Sequence, residues 1–257
     1  RDGHLERADL RQAGLDSTRG WWQSLALADL NGNGRLDLIA GNHGLNSRFR
    51  ASTDRPVEMW AGDFNQNGEI EHLLASYNKG EGPFPVALRH NMLHQIPRLN
   101  NRYPDFAGYA GQTMNDIFTE EQLNEAFHYR AELMASVVGW NSGDGRFRIA
   151  PLPTKAQWSP VYSILPVSSD EIGRTGFLAG GNLEAVQPQA GAYDAGRGLL
   201  VQSDQDENLL EIPPELSGFR VEGDIRFIKK LALDGRLLIL VGRNDGNIQF
   251  FQKTGQQ

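Results

Sequence analysis

The chain has 257 residues, of which 39% are hydrophobic, and its formal net charge is −7. This length is enough for one large hydrophobic core or two smaller ones. The acidic balance leaves no basic stripe for nucleic acid, and the absence of cysteine excludes disulfides and thiolate metal sites.

The sequence also lacks the features of a membrane-inserted or secreted precursor. It contains no run of 18 apolar residues, so no transmembrane segment is predicted, and it has no signal peptide. Because it begins with Arg1 instead of Met, we expect it to be part of a longer polypeptide.

The first segment with a strand pattern covers residues 3–10 and has the same shape as residues 145–152, which follow an Asp-Gly turn. We expect it to be a strand. It either ends a repeat unit that begins earlier in the polypeptide or returns to complete the last unit.

An oxygen-rich loop follows between two predicted strands in residues 21–42. Side-chain oxygens occupy loop positions 1, 3, 5 and 9, as Asp29, Asn31, Asn33 and Asp37. Arg35, at position 7, is expected to contribute its backbone carbonyl. Calcium is bound by six to eight oxygens, and a turning chain with an oxygen at every second residue supplies most of them. The loop therefore predicts a calcium site, with water completing the coordination.

The opening of this loop also fits an EF-hand, which is the main structural alternative. An EF-hand needs a bidentate Glu at position 12, where this sequence has Ala40. The flanking segments are short, apolar and bounded by glycine, which indicates strands and not helices.

A second loop with the same spacing occurs in residues 57–77. Its oxygen-bearing residues at positions 1, 3, 5 and 9 are Asp63, Asn65, Asn67 and Glu71, and Glu69 takes the place of Arg35. The repetition of spacing and strand context predicts a second calcium site.

The pattern then changes, and residues 83–135 are interpreted as a helical insertion. The sequence predicts one short helix that ends at Pro97 and a second helix over residues 106–117. A capping box formed by Thr119 and Gln122 starts a predicted third helix over residues 120–135.

Strand patterns resume after this insertion. We predict strands near residues 136–140, 146–151, 161–167, 176–180, 198–203, 208–212, 224–232, 236–242 and 247–252, and a tight turn at Asp234-Gly235. Aligning Gly181-Asn182 with Gly41-Asn42 gives a third, degenerate loop with Ser169, Glu171, Gly173 and Phe177 at the ligand positions. Because the side chain of Phe177 cannot replace a carboxylate, we expect no metal there.

A separate set of residues is a candidate for ligand binding. An exposed Trp can stack on a sugar, and a glycine-rich loop can present polar groups. The candidates are Trp21, Trp22, Tyr193, Asp194 and Arg197. The alternative for each is a structural role, either packing between strands or a hydrogen-bonded corner.

The two loops resemble the FG-GAP or VCBS repeat, which is known from integrin alpha-chain β-propellers and from bacterial surface and secreted proteins. The segments GWW, GLNS, NSGDGRF, PLPTKAQWSPV and GAYDAGRG are similar to bacterial VCBS-group proteins that often carry an ASPIC/UnbV domain. The resemblance implies a calcium-stabilised β-propeller that binds or displays something, and it implies no reaction.

These observations predict an all-β fold: a β-propeller of about four blade-like units over residues 1–257, with the helical insertion inside it, as a whole propeller or part of one. The expected function is binding or adhesion to a protein or glycan partner, outside the cell, on its surface or on the periplasmic side. No standard catalytic signature is present. Two alternatives stay open: a hydrolytic, polysaccharide-processing propeller, and a structural spacer of a larger surface protein.

Overall fold

The computed structural model of the protein describes residues 3–78, 80–187, 191–233 and 236–253. Contacts divide the chain into two compact units. Unit 1 comprises Arg1–Asp16, Trp21–Arg48 and Ala135–Gln257, and unit 2 comprises Ser17–Gly20 and Phe49–Met134. Most of unit 2 is thus an insertion in the sequence of unit 1. The single propeller domain expected over residues 1–257 stays a prediction.

Most regular structure in the described residues is β. The strands are β1 (Ser24–Ala28), β2 (Asp37–Gly41), β3 (Val57–Gly62), β4 (Glu71–Ser76), β5 (Phe84–Pro85), β6 (Phe127–Ala131), β7 (Val137–Asn141), β8 (Phe147–Pro151), β9 (Val161–Val167), β10 (Gly176–Gly181), β11 (Leu199–Ser203), β12 (Leu209–Ile212), β13 (Ile225–Leu233), β14 (Arg236–Arg243) and β15 (Gln249–Gln252).

The helices are few and short. They are α1 (Arg89–Gln95), α2 (Phe106–Tyr109), α3 (Met114–Ile117), α4 (Glu120–Glu125), α5 (Ser169–Ile172) and α6 (Pro214–Ser217), with 3-10 turns at Pro97–Asn101 and Thr154–Gln157. None of these helices in the described ranges has the length and apolar composition needed to cross a bilayer.

The first sheet of unit 1 has the strand order β1-β2-β7-β8 and is antiparallel throughout. Strands β2 and β7 are neighbours although the insertion separates them in sequence, with Leu38 opposite Gly139 and Ala40 opposite Val137. The chain therefore leaves this sheet after β2 and returns to it at β7, which pairs directly with β2.

The other two sheets of unit 1 connect strands that follow one another in sequence. Strands β9 to β12 form a four-stranded meander, and β13, β14 and β15 form a three-stranded sheet. Successive side chains of a strand point to opposite faces. Phe177 and Leu178 of β10 accordingly belong to two different buried clusters. The meander is thus covered on both of its faces.

Two strands of unit 1 end at a Gly that an Asn follows, Gly41-Asn42 after β2 and Gly181-Asn182 after β10, in agreement with the alignment of the two pairs. A β-carbon on Gly41 would lie 2.2 Å from the carbonyl oxygen of Val161, and one on Gly181 would lie 1.6 Å from that of Pro160. Both positions need glycine because a neighbouring backbone approaches too closely for a side chain.

Unit 2 consists of a four-stranded antiparallel sheet, β5-β4-β3-β6, with the helices α1 to α4 in the connection between β5 and β6. Its hydrophobic core combines side chains of the sheet with side chains of the helical segment: Trp60, Leu73, Met92, Ile96, Met114 and Ile117. The helical segment is therefore part of the core of unit 2.

The structure confirms the β-rich class and the predicted strands on both sides of each oxygen-rich loop. It also confirms the short helix before Pro97 and the capping box, in which the Thr119 hydroxyl accepts the N–H of Gln122 and the Gln122 side chain accepts the N–H of Thr119.

Three local predictions are wrong. The helix expected over residues 120–135 ends at Glu125, and β6 follows because its backbone pairs with β3. The helix expected over residues 106–117 consists of the separate helices α2 and α3. Residues 3–10 form no strand. The turn expected at Asp234-Gly235 lies outside the described residues.

Candidate functional site

The first oxygen-rich loop connects β1 to β2 and is folded around its own side chains. The Asp29 carboxylate accepts the backbone N–H of Asn33 at 3.0 Å and that of Gly34 at 2.8 Å. The side-chain oxygen of Asn33 accepts the N–H of Arg35 at 2.9 Å, and that of Asn31 accepts the N–H of Asn33 at 3.2 Å. These bonds hold the side-chain oxygens in a tight turn, as Asx turns do.

Asp37, at loop position 9, connects the loop to the sheet. It is fully buried, and its two oxygens accept the N–H of Leu30 at 3.0 Å and that of Asn141 at 2.9 Å. The first bond fixes the start of the loop, and the second fixes the end of β7, which lies far away in sequence. One carboxylate therefore joins the loop to two strand ends of unit 1.

The second loop, between β3 and β4 in unit 2, repeats this arrangement. The Asp63 carboxylate accepts the N–H groups of Asn67 and Gly68 at 3.0 and 2.9 Å, and Asn67 accepts the N–H of Glu69 at 2.8 Å. Glu71 accepts the N–H of Phe64 at 2.7 Å, as Asp37 does for Leu30. The equal spacing in sequence thus produces the same four hydrogen bonds in both loops: two to the acid at position 1, one to the Asn at position 5 and one to the acid at position 9.

The backbone of the two loops also turns at corresponding positions. Position 6 has a positive φ in both loops, 81° at Gly34 and 87° at Gly68. Position 4 does as well, with 74° at Gly32 and 61° at Gln66. Glycine adopts this left-handed conformation without a steric penalty, so the Gly at position 6 of each loop belongs to the motif.

The buried acids of the two loops differ from the other buried acidic groups among the described residues, Glu58 and Asp224, in having no cationic partner. Asp224 lies 2.8 Å from Arg226. Glu58 of unit 2 is buried, and its carboxylate lies 3.3 Å from His128 and 3.6 Å from Arg130. Asp37 and Glu71 are buried to a similar degree, and within the described ranges neither forms an ion pair. A buried carboxylate without a countercharge is costly.

The donor groups of both loops are suited to a hard cation. They are carboxylate, amide and carbonyl oxygens, which calcium prefers. Each oxygen that accepts a backbone N–H keeps a second lone pair for a metal. In the second loop, the side-chain oxygen of Asn65 is buried and has no hydrogen-bond partner, while its amide nitrogen donates to Glu71 at 2.7 Å. A bound cation would satisfy this oxygen.

The number of charged ligands is small. Among the described residues there is no group of three or more His, Cys, Asp or Glu side chains placed to hold a metal ion. Each loop contributes two carboxylates, so a cation there would depend on amide oxygens, a carbonyl and water.

Two loop-and-strand units with the same spacing and the same hydrogen bonds define a β-repeat protein. The family model of the FG-GAP repeat matches residues 21–53, which include β1, the first loop and β2. Residues 21–53 therefore contain an FG-GAP repeat. A comparison with curated proteins gave no match.

The residues proposed for ligand binding do not form one cluster. Tyr193 is buried and its ring packs edge-on against the His43 ring at 4.6 Å between centroids, and Trp21 packs on His43 at 5.0 Å. Trp22 is partly exposed, while Asp194 and Arg197 are exposed. Arg197 donates a hydrogen bond to the backbone carbonyl of Asp194 at 2.8 Å.

Sequence reasoning missed His43 as the centre of this aromatic group. It is buried, and the burial lowers its pKa from 6.5 to about 4, so the ring is neutral at physiological pH. The sequence Gly41-Asn42-His43-Gly44 around it is typical of a turn, and no local signal indicates that Trp21 and Tyr193 pack on it.

The degenerate third loop has a different structure. Its residues form the helical turn α5, which Ser168 caps through a capping box with Glu171. The Glu171 carboxylate lies 2.5 Å from the amino group of Lys230 and accepts the backbone N–H of Ser168. Burial raises the pKa of Glu171, but these two interactions outweigh it and lower the pKa below its usual value. A lysine thus occupies the acceptor positions of this carboxylate.

Proposed function

We propose that the protein is a calcium-binding module of the FG-GAP type, built as a β-propeller or part of one, which binds a protein or glycan partner outside the cell. The observation that carries the proposal is the repeated loop, in which the same residue positions and the same hydrogen bonds occur twice. The match to the FG-GAP repeat supports it.

The residues that would hold calcium are those predicted from the sequence. In the first loop they are Asp29, Asn31, Asn33, Arg35 through its carbonyl, and Asp37. In the second they are Asp63, Asn65, Asn67, Glu69 through its carbonyl, and Glu71. A bound cation would balance the two carboxylates of each loop and stabilise the folded state by mass action.

The proposed location follows from the ligand set. With two carboxylates and otherwise neutral oxygens per loop, the affinity should be modest, in the range of about 10⁻⁴–10⁻³ M that extracellular calcium modules use. Such sites are filled where calcium is millimolar, which favours the cell exterior or surface.

Partner binding is proposed instead of catalysis because of what these loops can do chemically. A loop that supplies most of the calcium ligands from its own oxygens leaves few positions to a substrate, and calcium is a weak Lewis acid. The strands β9 to β12 and the other four-stranded sheets resemble propeller blades in size and direction, and propeller faces are suited to binding.

Thermal unfolding tests the calcium part of this proposal. Calcium should raise the melting temperature of the wild type and a chelator should lower it, because the folded state alone offers the assembled loops. Asp29→Ala should lose part of the calcium-induced increase. Asp144→Ala is the matched control, since Asp144 accepts the N–H of Arg146 in an exposed turn outside both loops. A melting temperature that responds to neither addition would contradict the assignment.

A further inference from the structure

Unit 1 contains a cleft of about 150 Å³ that is separate from the first calcium loop. Its floor is formed by backbone and small side chains of β10 and of the segment that leads into β11, including Gly181 and Gly196. A β-carbon on Gly196 would lie 2.5 Å from the hydroxyl of Ser159. The space is therefore bounded by backbone that cannot carry larger side chains.

Three cationic side chains and one carboxylate line the cleft: Lys155, Arg197, Arg220 and Glu215. The two arginines share a single acidic partner, Glu222, at 3.8 Å from Arg197 and 3.0 Å from Arg220. One exposed carboxylate cannot use the hydrogen-bond donors of two guanidinium groups, each of which has five. Arg197 also donates through Nη1 to the backbone carbonyls of Asp194 and Gly196. Its Nη2 group and the remaining donors of Arg220 are left for an anion.

An aromatic surface lies beside these charges. Trp158 lines the cleft and is 41% exposed, and its backbone is held by a hydrogen bond from Asn46 to its carbonyl at 3.1 Å. Tryptophan combines a large apolar face with a polar edge. An exposed indole next to cationic groups favours a ligand with one apolar face and one negative group.

The volume limits the size of that ligand. The cleft measures about 150 Å³ and is partly open to solvent. Drug-sized ligands need pockets of about 300–1,000 Å³. A single sugar ring is a suitable occupant: its C–H face can stack on Trp158 and its acidic group can pair with Arg197 and Arg220.

We propose that this cleft binds an anionic sugar residue of an acidic polysaccharide. The inference rests on the proposed binding function and gives its partner a chemical class. Carboxylated and sulfated sugars share the required chemistry, because a guanidinium group pairs with the planar carboxylate and with sulfate oxygens alike.

Calorimetric titration of the whole chain with three oligosaccharides of equal length tests the proposal: a uronic-acid oligomer, a sulfated oligomer and a neutral oligomer. At least one anionic oligomer should bind at least tenfold more tightly than the neutral one, and the comparison of the two identifies the acidic group. Equal binding of all three, or no binding of either anionic oligomer, would overturn the proposal.

Variants of the lining residues provide the second arm. Trp158→Ala and the double variant Arg197→Gln/Arg220→Gln should each weaken binding at least tenfold, and Arg7→Gln, an exposed control outside the cleft, should leave it unchanged. Glu215→Gln should strengthen binding about threefold, because it removes the negative charge of the lining. An unchanged or weaker affinity for Glu215→Gln would contradict an anionic ligand.

Thermal unfolding with calcium, measured on the same samples, separates the two proposals. A calcium response without binding of either anionic oligomer would overturn the cleft assignment alone. Binding of an anionic oligomer without a calcium response would support the cleft and contradict the calcium loops.

Discussion

At the scale of single residues, Asp37 is the side chain on which most of the first loop depends. Its carboxylate accepts one N–H from the loop and one from the end of β7, and it is fully buried. Removing it would leave the buried N–H of Leu30 and the partly buried N–H of Asn141 without this acceptor. Each unsatisfied buried group costs about 1–3 kcal/mol.

We therefore expect Asp37→Ala to lower the free energy of unfolding by about 3 kcal/mol, measured by chemical denaturation in the presence of a chelator. Asp37→Asn should lose less, because it keeps one acceptor oxygen. Asp144→Ala, in an exposed turn, serves as the control and should lose under about 0.5 kcal/mol. Equal losses for Asp37→Ala and Asp144→Ala would contradict the structural role of this carboxylate.

His43 gives the protein a defined dependence on pH. Burial lowers its pKa from 6.5 to about 4, so the unfolded chain binds a proton at a pH where the folded chain does not. The contribution of His43 is fully present above pH 6.5 and is lost as the pH falls toward 4. At pH 5 this amounts to a loss of roughly 2 kcal/mol.

The comparison with His43→Phe isolates this contribution, since phenylalanine keeps a ring between Trp21 and Tyr193 but does not titrate. Between pH 7 and pH 5, the unfolding free energy of the wild type should decrease by about 2 kcal/mol more than that of the variant. Parallel curves for the two proteins would show that the pKa of His43 is not lowered in the folded state.

The residue scale also shows what a sequence can reveal about a site. Positions 1, 3, 5 and 9 of both loops were predictable because their contacts lie within nine residues of chain. The bond between Asp37 and Asn141 was not, because Asn141 is 104 residues away. The cleft at Trp158 was missed for the same reason, since its lining comes from distant segments.

At the scale of elements, the pairing of β2 with β7 determines where the chain can be cut. Residues 38–40 lie directly opposite residues 137–139, and all of Phe49–Met134 belongs to unit 2. The core of unit 1 uses side chains from its own three sheets. Unit 1 should therefore fold without the insertion.

Replacing residues 49–134 by a short Gly-Ser linker should give a soluble β protein with cooperative unfolding, as measured by circular dichroism. Removing only residues 83–135 should fail, because it deletes β6 and the helices while leaving β3 and β4 without core partners. If the smaller deletion folds and the larger one aggregates, the division into units is wrong.

The same scale explains the incorrect helix prediction. The capping box at Thr119 is a local signal and does start a helix. The three- and four-residue spacing of apolar residues after Thr119 led to the prediction of a longer helix, but Phe127 is 71% exposed and lies in a strand. Pairing with β3 decides the structure of residues 127–131, and tertiary contacts of this kind override propensity. Strands with local hairpin partners were predicted well.

At the scale of the whole molecule, the charge balance favours bound cations. The chain carries a net charge of −7, and two of its buried carboxylates, Asp37 and Glu71, have no ion-pair partner among the described residues. Calcium at both loops would reduce the negative charge and stabilise both units independently. The central claim is that these two loops are the calcium sites.

The most direct test is the number of calcium ions that the protein binds, measured by isothermal titration calorimetry at millimolar calcium after removal of metal. The account predicts two ions for the wild type, one for Asp29→Ala, one for Asp63→Ala and none for the double variant. No binding by the wild type, or two ions retained by the double variant, would contradict it.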